Sequence, residues 1–331
     1  MSRSITALAL ALALWLGGCG SARSTGSARS PRKPDRNATL VLDFTPNAVH
    51  AGIYAALARG FDRAQGVDLH VVAPSASTDS IKLLETGRAS FAILDLHDLA
   101  LARQHGEAIM AIMAIVERPL AAVIAAPQIR DPRQLQGRTV GVTGVPSDTA
   151  VLRSIVAGSG GDPSAVKRLV IGFDAVPDLI AGRVAAVTSF WNDEGVTLAR
   201  RDPGVHIFRV DRYGAPSYPE LVLCATASSL RADPTLARSV VRALVAGYRL
   251  TVADPAAAAA SLESRVPGLD PRLVSAELAA LRPTFAGPDG RVGELNLARL
   301  RSWATWEARF GIVRRAPDVD AMFAPGFVPG S

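Results

Sequence analysis

The sequence predicts an α/β protein of two lobes joined by two crossing strands, with a ligand cleft between them. Three observations carry that expectation. From Leu40 onward, short apolar runs alternate with segments of helical period, the signature of βαβ units and a largely parallel sheet. The alternation comes as two successive series, and two apolar segments, 120–126 and 220–226, flank the second. A chain of 331 residues that is 49% apolar and 20% charged is also long enough to bury more than one core.

The first 18 residues stand apart from that pattern. Arg3 precedes an apolar run from Ile5 to Leu16, which ends in Leu16-Gly17-Gly18-Cys19. A basic start, a short apolar run and small residues before a cleavage point describe a secretory signal, and this run is too short to span a bilayer. The Leu-Gly-Gly-Cys stretch resembles a bacterial lipobox. That resemblance implies lipidation of Cys19 and a chain exported and anchored at the outer face of the cytoplasmic membrane. Residues 19–38 are rich in Ser, Gly, Arg and Pro and are expected to form a flexible tether. With Cys19 lipidated, Cys224 is the remaining thiol and no internal disulfide is expected; its run "LVLCATA" reads as core.

The candidate strands follow in order: 39–43, 68–73, 91–94 and 109–115, with helices over 47–59, 78–86 and 96–104 between them. The second series runs through strands at 139–143, 168–172, 184–190 and 205–210, with helices over 149–157 and 176–181. Helices at 236–253, 256–264, 271–281 and 295–310 follow the return crossing. Lobe I is accordingly 39–122 with 224–331, and lobe II is 123–223. The apolar stretch 110–126 is interrupted by Glu117, Arg118 and Pro119 and reads as two strands rather than a membrane span.

A pI of about 9.9 invites a nucleic-acid reading, but the charge is localised. Residues 1–38 hold six basic groups against Asp35 alone, whereas the rest of the chain carries 30 basic and 29 acidic side chains. No basic footprint remains to follow phosphates. A basic tether suits an anionic membrane surface.

The stretch "LDFTPNAVHAGIYAALARGF" (42–61) is the first to carry chemistry. A strand ends at Asp43, Thr45 stands as N-cap, Pro46 takes the first helical position and Gly60 follows the end. Asn47, His50 and Tyr54 are three and four residues apart, so they share one helix face starting at its N-terminus. In an open parallel sheet that end faces the carboxyl edge of the strands, where ligands bind. The alternative is structural: Asn47 caps the turn, His50 meets solvent and Tyr54 packs in the core.

This stretch, with "GVDLHVV" after it and "SFWNDEG" near residue 190, resembles the periplasmic substrate-binding proteins of ABC importers. It is most similar to the branch that captures the pyrimidine precursor of thiamin or riboflavin. Phe44, Pro46, Asn47, His50, Gly52 and Tyr54 match that branch's aromatic-x-Pro-Asn-x-x-His-x-Gly-x-Tyr pattern. Phe44 departs from the Trp usual in thiamin-precursor binders and is closer to the riboflavin type. The resemblance implies a type II periplasmic-binding-protein fold and a monomeric receptor rather than an enzyme. Its partners would be a small heteroaromatic ligand, an ABC permease and that permease's ATPase, with no cofactor.

Other candidates sit at further carboxyl edges. In "TSFWNDEG", Trp191 offers a flat face and Glu194 an acceptor, and Asn192 stands between them; Asn192 and Asp193 capping a helix is the plain alternative. The resemblance implies that Glu194 is similar to a Glu that contacts the pyrimidine. Ser147 and Asp148 open the second lobe's first helix, where backbone N–H groups are free. Tyr213 and Tyr218 lie in "RYGAPSYPE" and read as stacking walls or loop anchors. Asp95, His97 and Asp98 fall at the mouth of the first lobe.

The fungal-type hydroxymethylpyrimidine phosphate synthase shares this fold and uses a pyridoxal phosphate held by a Lys. Ile93 stands where that Lys is expected, four residues before His97, and the chain has only Lys33, Lys82 and Lys167. No Schiff base forms at an isoleucine, but Lys82 lies on a helix that could approach the cleft, so a synthase-like enzyme stays as the lesser alternative. The five histidines show no metal-ligand spacing and "GRTVGVTGVPSD" is no phosphate loop, so no metal is expected. The competing ligand class is a sulfonate, taurine or nitrate, which predicts cleft Arg or helix N–H groups.

Overall fold

Strand β1 (Arg36–Val41) begins where the polar N-terminal segment gives way to "NATLVL". The computed structural model describes residues 36–76 and 79–330. The expected signal segment, Cys19 and residues 20–35 of the expected tether lie outside the described residues. Residues 36–38, expected to be tether, instead pair with β2 (Val67–Val72), because Ala38 already faces the core.

Between those strands lie α1 (Ala51–Ala58) and α2 (Phe61–Ala64). The chain continues through α3 (Asp79–Glu85), β3 (Phe91–Asp95), α4 (Leu96–Gln104) and β4 (Ile109–Ala114). It then builds a second sheet from β5 (Ala121–Ala125), β6 (Thr139–Val142), β7 (Lys167–Val170), β8 (Ala186–Phe190) and β9 (His206–Arg209). Helices α5 (Pro146–Gly158), α6 (Ala175–Ile180) and α7 (Glu194–Arg201) cover it. Strand β10 (Leu221–Thr226) returns to the first sheet. The helices α8 (Ala227–Ala232), α9 (Pro234–Ala253), α10 (Pro255–Glu263), α11 (Pro271–Leu281), α12 (Leu297–Arg309) and α13 (Val319–Met322) complete the chain.

The sheet orders are β2-β1-β3-β10-β4 and β7-β6-β8-β5-β9. β1, β2 and β3 run parallel, as do β6, β7 and β8. β10 and β5, the strands that follow each crossing, enter antiparallel to both neighbours. The molecule is therefore a two-lobed α/β protein, and the chain passes between lobes in residues 115–120 and 210–220.

Asp-Pro pairs start three C-terminal helices: Asp233, Asp254 and Asp270 each cap the N–H groups that follow, with proline at the first helical position. One of these, α9, lies so close to α1 that a Cβ on Gly52 would sit 2.4 Å from the Tyr248 ring. The Tyr248 hydroxyl also donates to Val49 O at 2.9 Å. The start of α1 is thus held rigidly by the C-terminal helices. Cys224 is a buried free thiol, kept protonated by burial. No described helix is long and apolar enough to cross a membrane.

Candidate functional site

A cavity lies where the carboxyl ends of β1, β3, β6, β7 and β8 face each other across the two sheets. That is the general ligand position of open α/β sheets. It encloses about 980 Å³ of space, part of it open to solvent. Six carboxylic side chains line it: Asp43, Asp95, Asp98, Asp148, Asp193 and Glu194. Among the described residues that line it there is no Lys or Arg.

Asn47 caps the turn that follows β1, accepting from Val49 N at 2.9 Å, so the cap falls two residues later than Thr45. Asn47 N donates to His50 Nδ1 at 3.1 Å, which leaves the proton on Nε2, and Nε2 donates to Asp43 Oδ1 at 2.9 Å. The fully buried His50 therefore does not reach the cavity; it fixes Asp43, which does. A one-turn 3-10 helix over Ala48–His50 precedes α1 and rotates the face that follows. Tyr54 accordingly packs in the first lobe's core, where burial raises its hydroxyl pKa.

The two lobes touch around the cavity. Asn47 Nδ2 donates to Asp193 Oδ2 at 2.7 Å, and Ser147 Oγ to Asp98 Oδ1 at 3.3 Å. Phe44 meets Phe173 edge-on, with centroids 4.5 Å apart. Phe44, Asn47, Asp95, His97, Ser147 and Glu194 thus all line the cavity. His50, Tyr54, Trp191, Asn192, Tyr213 and Tyr218 do not.

The reasons are local. Trp191 donates its indole N–H to Pro119 O at 3.0 Å under the guanidinium of Arg209, while its neighbour Phe190 faces the cavity. Asn192 is buried beside it. Tyr213 packs edge-on against Phe208 of β9. Tyr218 is fully buried below the cavity floor, with its hydroxyl 3.0 Å from His97 Nε2. Phe173, Asp43, Asp148 and Asp193 were not picked out from the sequence as ligand contacts. Phe173 follows a parallel strand, so the carboxyl-edge rule applied to Trp191 also reaches it.

Burial without a cationic partner pushes Glu194 up to about 8, and the nearby charge of Asp193 adds to it. Asp193 rises to about 6 through burial, against the opposing effects of His50 and Asn47. Asp98 also rises to about 6 through burial, and Asp95 well above the usual carboxylate range. Burial works against a charge on His97, yet Glu307, Asp95 and Glu220 together raise it to about 10. Asp148 Oδ2 accepts from Thr143 N, Thr143 Oγ1 and Gly144 N at 2.6, 2.6 and 3.2 Å. The donor nest ahead of α5 is therefore filled by the protein's own carboxylate. Below the floor, Glu220 Oε2 accepts from Leu120 N at 2.5 Å and Ala121 N at 2.8 Å, joining the start of β5 to the start of β10.

Residues 47–258, more than half of the chain, match the family described as NMT1/THI5 like. The chain belongs to the NMT1/THI5-like family. This NMT1/THI5-like chain is 31% identical over 219 residues to the formylaminopyrimidine-binding protein of Halalkalibacterium halodurans. That alignment covers 65% of this chain and 66% of the relative, just under two thirds of the relative's length. It is 25% identical over 270 residues to the riboflavin-binding protein RibY of Chloroflexus aurantiacus, covering 77% and 76% of the two chains. The alkanesulfonate-binding protein SsuA of Xanthomonas axonopodis pv. citri, solved with MOPS, superposes with a TM-score of 0.69 at 15% identity. That superposition covers 87% of the NMT1/THI5-like chain and 98% of SsuA and establishes the fold. Ile93 lines the cavity, whereas Lys82 and Lys167 are exposed outside it.

Proposed function

We propose that this chain is the solute-binding receptor of an ABC importer, and that its cargo is a flat, amino-substituted nitrogen heterocycle of the pyrimidine class. In this reading it is exported, lipid-anchored through Cys19, and delivers its cargo to a permease driven by a cytoplasmic ATPase. It binds rather than transforms, since no described lysine reaches the cavity to form a Schiff base.

One observation carries the choice of ligand: six carboxyl groups line a cavity that also presents aromatic rings and, among the described residues, no Lys or Arg. Ionised carboxylates accept hydrogen bonds, and a protonated carboxyl such as Glu194 accepts at one oxygen and donates at the other, which matches the adjacent N–H donor and ring nitrogen of an aminopyrimidine edge. Phe44, Phe173 and Phe190 supply apolar faces for a ring. Ser189 Oγ is buried without a hydrogen-bond partner among the described residues and is left for a ring nitrogen. A flavin is less well matched, because its two ring carbonyls need donors and of the cavity hydroxyls Ser80 and Ser147 already donate to Leu42 O and Asp98.

A sulfonate or nitrate fits worse still. It would face six acids, and the donor nest an anion needs is occupied by Asp148. Calorimetric titration with a formylaminopyrimidine, hydroxymethylpyrimidine, riboflavin, taurine and nitrate tests the reading. Binding of an aminopyrimidine without binding of either anion is the expected result; binding confined to taurine or nitrate overturns it.

A further inference from the structure

Below the cavity floor, His97 meets more carboxylates than one imidazole can serve. Its Nδ1 is hydrogen-bonded to Glu307 Oε1 of α12. Its Nε2 lies 3.0 Å from the Tyr218 hydroxyl and 3.5 Å from Glu220 Oε1. Glu220 Oε2 is fixed by two backbone N–H groups, while Oε1 is buried with no hydrogen-bond partner among the described residues. Asp95 completes the group: one donor atom from each of Asp95, His97 and Glu220 lies within 4.8 Å of the others.

Two buried carboxyl groups, Asp95 and Glu220, converge on one imidazole nitrogen, an arrangement that is costly unless positive charge stands among them, carried by the imidazole or by a cation held between the three side chains. Ligand atoms about 2.0–2.1 Å from a tetrahedral cation sit roughly 3.4 Å apart, and the 3.5 Å between His97 and Glu220 matches that spacing. Metal-binding imidazoles donate their second N–H to a carboxylate, and Glu307 stands in that position. One nitrogen and two carboxylate oxygens suit zinc and its first-row neighbours better than calcium or magnesium, which favour six or more oxygens.

We propose that Asp95, His97 and Glu220 form a site for a divalent first-row transition-metal cation, with Glu307 orienting His97 from behind. Asp95 and His97 both line the cavity, so the cation enters from that side. A cation held there adds a positive centre at the floor of the solute cavity.

The full chain, stripped with a chelator, is titrated with zinc chloride by calorimetry and with Co²⁺ followed by visible absorption. One equivalent per chain is expected, with the intense bands of low-coordinate cobalt. Glu307→Gln is expected to weaken zinc binding about 10- to 100-fold. Asp95→Asn is expected to abolish it while keeping an asparagine cap on α4. His70→Ala, on the exposed side of β2, leaves it unchanged. No zinc uptake, or wild-type affinity in Asp95→Asn, overturns the site and leaves His97 an imidazolium that neutralises the acids by charge alone.

Discussion

Burial makes Glu194, Asp193, Asp98 and Asp95 costly to ionise in the cavity. Glu194, pushed up to about 8, binds its proton more tightly in the folded state than in the unfolded chain. A raised carboxylate pKa means the folded state holds more protons between about pH 4.5 and 8, so stability falls as pH rises through that window. His97, raised to about 10, acts in the same direction above pH 6.5, because its contribution is complete below that value and is lost only on approach to 10. The melting temperature of the ligand-free chain should therefore fall between pH 5 and 8, and Glu194→Gln should flatten the slope in a calorimetric pH series. A slope unchanged by the substitution would show that Glu194 ionises freely. At this scale the sequence was only partly legible. Adjacent residues of an extended chain point to opposite faces, and nothing in "SFWND" told Phe190, which faces the cavity, from Trp191, which anchors under Pro119. The motif around Asn47 was readable as a motif, but its histidine serves it indirectly, by holding Asp43.

Elements were more legible than their side chains, because period and capping chemistry are local. Parallel strands with intervening helices, and Asp-Pro helix starts, follow from neighbouring residues. The packing of α1 on α9 does not, since Gly52 and Tyr248 lie almost 200 residues apart in the chain. The glycine in that motif serves packing: its Cβ position lies 2.4 Å from the Tyr248 ring. Gly52→Ala should destabilise the fold by about 1–3 kcal/mol, the usual cost of overpacking a filled site, as read from the urea midpoint. An unchanged midpoint would mean that α9 yields at little cost. The same reasoning explains Tyr54, which the 3-10 turn before α1 carries away from the cleft.

The lobes are drawn together by a few polar contacts at the cavity: Asn47 with Asp193 and Ser147 with Asp98. A charge-assisted bond of this kind contributes about 1.5–3 kcal/mol, enough to bias a two-state closure. The double variant Asn47→Ala/Ser147→Ala should shift the ligand-free chain toward an open form, seen as a larger radius of gyration by X-ray scattering. An unchanged radius would place the closing force elsewhere. The cross-lobe pairings lay beyond the sequence because each joins residues from opposite sides of the hinge. That hinge has a mechanical consequence. One carboxylate, on Glu220, grips the backbone at the start of β5 while belonging to the residue just before β10. The two connections are pinned to each other like the leaves of a hinge on one axle, so they cannot slide independently. Shear and twist are suppressed, leaving a swing about a single axis as the soft motion, and each closure brings the same pairs of residues back into register.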